Sequence, residues 1–132
     1  MSQENVELVR AAYAAWNEGD LDAALDLADP EIEVVQDSQI PGSTAVTGRH
    51  QFRLWLESFY DTWESFEITP TDITQVADRV VVVAQVRARG KTTGIPVETQ
   101  IGHVLTVRRG RAVRWESYPH PNQALEAVGL RE

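Results

Sequence analysis

Residues 13–35 read YAAWNEGDLDAALDLADPEIEVV, and the order of signals inside this stretch decides the fold class. Tyr13 and Trp16 continue an apolar stripe begun by Val6 and Val9, with the spacing of one helix face. Asn17-Glu18-Gly19 ends that helix, because glycine takes the left-handed conformation beyond a helix C-terminus without a Cβ penalty. Asp20 then carries the short oxygen-bearing side chain of an N-cap. Leu21, Ala24, Leu25 and Ala28 form the inner face of a second helix, and Pro30 follows where it should stop. From Glu31 to Gln36 acids alternate with β-branched residues, the mark of a half-buried strand.

Ser38 to Gly48 is turn-rich, contains Pro41-Gly42, and reads as a loop. Thr47 or Gly48 starts a third helix with an aromatic stripe of Phe52, Trp55, Leu56, Phe59 and Trp63. Core packing accounts for such a stripe; one or two of its rings can also wall a cavity. From Phe66 the period changes from 3.6 to 2. Strands are expected over Ile68–Val76 and Val80–Arg89, with a turn at Ala77-Asp78-Arg79 and a loop from Gly90 to Pro96. Val97, Thr99, Ile101, His103, Leu105 and Val107 share one face of the next strand. Arg109-Gly110 is a hairpin turn, Ala112 to Tyr118 is the last strand, and Asn122 caps a terminal helix that stops at Gly129. Three helices followed by consecutive antiparallel strands predict one α+β domain over residues 1–132, its helices gathered on one face of a curved sheet.

Composition narrows the function classes. A net charge of −8 disfavours nucleic acid as a partner, since phosphate binding needs a basic face. The chain has no cysteine, and its three histidines (His50, His103 and His120) are far apart, so no metal or other cofactor is expected. The polar start MSQENVELVR lacks the apolar core of a signal peptide, and no apolar run reaches the length that spans a bilayer. A cytoplasmic protein that does not bind membranes is the expectation. Lys91 is the one lysine among twelve basic residues, a bias of GC-rich bacterial genomes.

The opening stretch resembles that of the nuclear transport factor 2-like superfamily. Its SnoaL-like branch is further matched by the helix after Thr47-Gly48-Arg49, by DRVVVVAQVRARG (78–90), and by IGHVLTVRRGRAVRWESYP (101–119) followed by ALEAVGL (124–130). The resemblance implies a cone-shaped α+β barrel, a curved sheet wrapping helices around an apolar cavity, and homodimers paired through the outer sheet face. It does not carry over a complete catalytic set. Where related isomerases place a first-helix Tyr and a late-strand Asp, ungapped matching gives Ala12 and Gly102, and their base falls within Val34–Gln36, where no carboxylate stands. The epoxide hydrolases' Asp-Arg-Asp relay finds only Arg87-Ala88-Arg89. The cyclases' penultimate-strand His is matched by His103, but their last-strand Asp falls at Ser117, and His120 stands where many relatives carry an acid.

His103 is therefore the best candidate for acid–base work, interrupting an apolar series with a side chain that titrates near neutrality. Its orientation depends on the hairpin. A three-residue bulged turn puts it on the face of Trp115 and Ser117; a two-residue turn sends it to the dimer face. Asp37, just past the first strand, is the acid nearest the family's base position. The cavity is expected to involve Tyr13, Trp16, Val34, Trp55, Phe59, Trp115 and Ser117. A pocket lined by indoles with few polar groups suits a flat hydrophobic or aromatic molecule, polyketide- or steroid-like. Two functions fit: cofactor-free proton transfer by His103 with Asp37, or a non-catalytic ligand-binding or dimeric interaction module.

Overall fold

The computed structural model describes residues 2–37 and 45–130. Helices α1 (Ser2–Glu18) and α2 (Leu21–Asp26) lead into strand β1 (Ala28–Gln36). A short strand β2 (Ala45–Thr47) precedes helix α3 (Arg49–Thr62). Strands β3 (Trp63–Val76), β4 (Arg79–Gly90), β5 (Pro96–Arg108) and β6 (Arg111–Tyr118) follow, and helix α4 (Pro121–Ala127) comes last. The strands make one curved sheet of six in the order β2-β1-β6-β5-β4-β3, the α+β class expected from the sequence. Neighbours are antiparallel except β1 and β6, which run parallel.

The opening stretch folds largely as its residues dictate. Gly19 takes φ 71°, and the N–H of Asp20 bonds back to the Ala15 carbonyl at 3.0 Å, closing α1. Asp20 Oδ1 accepts from the Ala23 N–H at 3.1 Å and caps α2. That helix ends at Asp26, however, so Ala28 is buried as the first residue of β1 and not on a helix face. The β1–β6 ladder is irregular between Ala28 and Glu33, the segment that holds Pro30, whose nitrogen has no hydrogen to donate.

Three further boundaries differ from expectation. Trp63 pairs with Gly90 as the first residue of β3, so it does not extend the aromatic stripe of α3. Of the Ser38–Gly48 loop, residues 38–44 lie outside the described residues, and 45–47 form β2. The cap of α4 is His120 and not Asn122; Pro121 suits the first helical position, whose N–H would be unpaired anyway. The Gln123 side chain accepts from the His120 N–H at 3.2 Å.

The core lies between the inner sheet face and α1–α3, where Val9, Tyr13, Phe52, Ile68, Val80, Val82 and Leu105 are at most 2% exposed. A second cluster on the outer face, Val81, Val104, Ala124 and Val128, holds α4 against β4 and β5. Gly102 allows this docking. A Cβ there would sit 2.6 Å from Ala124 Cβ and 3.1 Å from Pro121 Cα.

The hairpin that orients His103 combines both expected forms. Arg109 and Gly110 have φ 55° and 75°, and Arg108 pairs with Arg111, so the turn has two residues. Val107 then pairs with Ala112 but Thr106 with Arg114, leaving Val113 as an inserted bulge residue. Because side chains alternate faces, that one insertion reverses the facing of everything beyond it. His103 comes to lie opposite Ser117, and Leu105 opposite Trp115.

Candidate functional site

The register builds the site. Gln36, Ser117, His103 and Val82 are successive partners across β1, β6, β5 and β4. The adjacent inner-face row is Val34, Trp115, Leu105 and Val80, apolar throughout and buried. Polar groups thus begin where the packed core ends. There a cavity of about 590 Å³ opens between α3 and the sheet. Trp55 and Phe59 of α3 face Val97, Thr99 and Ile101 of β5 across it, with Trp16, Trp63 and Phe66 completing an aromatic wall. Gln36, His103, Ser117, Tyr118 and His120 supply the polar lining, and no Asp or Glu lines it among the described residues.

His103 is 1% exposed, and its Nδ1 lies 2.5 Å from the Tyr13 hydroxyl. The two rings are 9° from parallel with centroids 5.7 Å apart. Burial raises Tyr13 well above the usual phenol range and lowers His103 to about 3, so both are neutral at physiological pH. A buried neutral hydroxyl left without an acceptor would cost about 1–3 kcal/mol. Nδ1 is the acceptor the structure gives it. Tyr13 therefore donates to Nδ1, the imidazole proton resides on Nε2, and the nitrogen left for a bound molecule is a donor. Trp16, its ring centroid 6.0 Å from that of His103, adds an indole N–H that is buried without a hydrogen-bond partner among the described residues.

The expected site residues divide into three groups. His103, Trp16, Trp55, Phe59 and Ser117 line the cavity. Tyr13, Val34 and Trp115 stand behind it in the core: Tyr13 orients His103, and Trp115 packs edge-to-face on Trp16 and His103 with centroids 5.2 Å away. Asp37 belongs to neither group. Strand alternation gives Gln36 to the cavity and turns Asp37 away. Its N–H donates to the Ser117 carbonyl at 2.8 Å, and its charge acts on Tyr118. That phenol is pushed up to about 12 by burial first, then by a 2.6 Å hydrogen bond to Glu116 and by neighbouring charges. The hydrogen bond seen for His103 goes to Tyr13, and Asp37 is not among the residues that line the cavity. Matching of sequences had set Ala12 at the isomerases' first-helix tyrosine, yet the residue that reaches the late strand is Tyr13, one position on. Gln36, Thr99, Ile101, Phe66, Tyr118 and His120 were missed, and Trp63 was expected only as one ring of the α3 stripe. Alternation from Val34 and His103 signals the first three, whereas the rest depend on how α3, β3 and α4 are joined. Among the described residues, no three His, Asp or Glu side chains are grouped to hold a metal, and no helix is long and apolar enough to cross a membrane.

A curved sheet closed over helices, with an apolar cavity and a few polar groups at one end, defines the nuclear transport factor 2-like class. Within it, the model of the SnoaL-like domain matches residues 9–115, and the chain belongs to that family. No curated protein matches the sequence. Solved structures share the fold. An NTF2-like protein of unknown function from Burkholderia pseudomallei is 18% identical, with a TM-score of 0.81 over 96% of this chain and 98% of that one. TerC co-crystallised with polyporic acid is 21% identical, with a TM-score of 0.80 over 95% and 97%. A hypothetical protein with a ketosteroid isomerase-like fold from Catenulispora acidiphila, in complex with trimethylamine, is 22% identical, with a TM-score of 0.78 over 94% and 93%. At these identities the likeness is one of fold.

Proposed function

We propose that this protein binds a small, flat, largely apolar molecule and receives an oxygen of it, carbonyl or phenolic, on His103 Nε2–H. The observation that carries this reading is the buried Tyr13–His103 hydrogen bond at the edge of an aromatic-walled cavity. A neutral donor preset by a second buried group costs no reorganisation when an acceptor arrives, and low polarity around it strengthens the contact. Co-crystallisation of a fold relative with polyporic acid is in keeping with a ring-shaped ligand. A histidine held at about 3 is a poor base at neutral pH, and the described lining offers no carboxylate. The reading is therefore binding with polarisation of the bound oxygen, and not proton shuttling between His103 and Asp37.

The ketone 1-tetralone and its hydrocarbon counterpart tetralin test this directly. By calorimetric titration, wild-type protein should prefer the ketone, and His103→Leu should weaken ketone binding about tenfold while leaving tetralin unchanged, the worth of one buried hydrogen bond. Equal losses for both, or none for the ketone, would remove His103 from the site.

Within this proposal the chain pairs as a homodimer through the outer sheet face left open beside α4. Light scattering behind size exclusion should give about twice the 14.8 kDa chain mass, and a clean monomer overturns the pairing.

A further inference from the structure

The aromatic cavity has a neighbour. A second hollow, of about 610 Å³, lies between the end of α3 and the segment joining β4 to β5, and Trp63 and Val97 line both. Its chemistry is different. Ser58, Asp61, Thr62, Lys91, Thr92 and Thr93 add hydroxyls, one carboxylate and one ammonium to an apolar lining of Trp63, Ile95 and Val97.

The walls of this hollow are tied together. The Lys91 N–H donates to the Thr62 carbonyl at 3.0 Å, joining the β4–β5 segment to α3. Thr93 Oγ1 accepts from the Ile95 N–H at 3.2 Å, which leaves its hydroxyl proton for another acceptor. A side chain at Gly90 would meet Thr93 Oγ1 at 2.7 Å, so glycine there lets the segment fold back. Thr62 Oγ1 donates to the Ser58 carbonyl at 3.0 Å and keeps its lone pairs for an outside donor. Within the described residues, the side chains of Ser58, Asp61, Lys91 and Thr92 make no hydrogen bond or ion pair with one another or with other side chains.

A ring wall beside a carboxylate and several hydroxyls is the recognition chemistry of a polyol. The apolar C–H face of a sugar lies on an aromatic ring, its hydroxyls donate to the carboxylate, and threonine and serine hydroxyls donate or accept as needed. We infer that the outer hollow takes a sugar-like polyhydroxylated substituent carried by the molecule whose apolar part fills the inner cavity, the two parts joined past Trp63 and Val97. This rests on the proposed inner-cavity function and deepens it, making the ligand class an apolar aglycone with a polar glycosyl or polyol group.

The test uses 6-hydroxy-1-tetralone, which keeps the ketone for His103, and its 6-O-β-D-glucopyranoside, titrated calorimetrically into wild type and Asp61→Ala. Wild type should bind the glucoside about tenfold more tightly than the aglycone, and Asp61→Ala should abolish that gain while aglycone affinity holds. Asp61 is exposed on the last turn of α3, so its truncation leaves the core intact. If the aglycone binds but the glucoside binds no better, or if Asp61→Ala weakens both alike, the outer-hollow assignment is overturned and the inner-cavity reading stands. If the aglycone itself does not bind, both fail.

Discussion

Lowering the pH from 7 to 4 should cost wild-type protein roughly 3 kcal/mol more stability than it costs the double variant Tyr13→Phe/His103→Leu. The sign follows from where the proton goes. His103 is held at about 3 in the folded chain by burial, against 6.5 when unfolded. Between those values the unfolded state binds a proton that the native state refuses, so stability falls as pH falls through 6.5 and levels off near 3. The contribution at 1.36 kcal/mol per pH unit is nearly absent at pH 7 and roughly 3 kcal/mol by pH 4. The double variant keeps every carboxylate, so acid effects common to both proteins cancel. Replacing both partners of a buried hydrogen bond by apolar groups of similar shape is itself nearly neutral, which makes it a usable reference. Urea unfolding at the two pH values measures the difference, and parallel pH dependences would mean that His103 is solvated and not buried against Tyr13.

Gly102→Ala should lower stability by about 2 kcal/mol, or roughly 7 °C in Tm for a chain of this size. An alanine for glycine in a strand ordinarily helps, because it restricts the unfolded chain and suits the extended backbone. Here the new methyl would lie 2.6 Å from Ala124 Cβ and 3.1 Å from the backbone of Pro121, neither of which is the end of a flexible side chain. Relief requires α4 to move off the outer face, loosening its contacts with Val81 and Val104. The same movement displaces Pro119 and His120 at the cavity edge, so ligand affinity should weaken with stability. Thermal unfolding followed by circular dichroism checks the first effect. An unchanged or raised Tm would show that α4 does not depend on the missing side chain.

Much of this fold is legible in local sequence signals because those signals are local physics. Gly19 and Asp20 act through their own backbone and side-chain bonds, and alternation along β5 follows from strand geometry whatever the strand pairs with. Trp63 was harder. Its spacing from Phe59 and Trp55 fits a helix, but pairing with Gly90 draws it into β3, and that pairing joins residues far apart in the chain. Sheet order was equally hidden, since β1 lies beside β6 only after most of the chain has folded between them.

The candidate site divides along the same line. His103 stood out as a polar residue in an apolar series, but whether it faced the cavity turned on one inserted residue, Val113. A bulge is a compromise between two strands, and neither strand's pattern announces it. Asp37 was chosen for its place after β1, where Gln36 proves to be the residue on the inner face. Tyr13 belongs to the helix stripe and to the expected cavity lining, but its role as the partner of His103 joins positions 90 residues apart.

By itself the sequence determined the fold class and the apolar, aromatic character of what the sheet would enclose. Those depend on periodicity and composition, which every residue carries with it. Only the tertiary structure decided that His103 is buried against the Tyr13 hydroxyl, that no carboxylate among the described residues lines its cavity, and that a second hollow adjoins it past Trp63. Each of these turns on burial and on distances across the sheet. Protonation, tautomer and hydrogen-bond role are properties of an environment, and packing creates that environment.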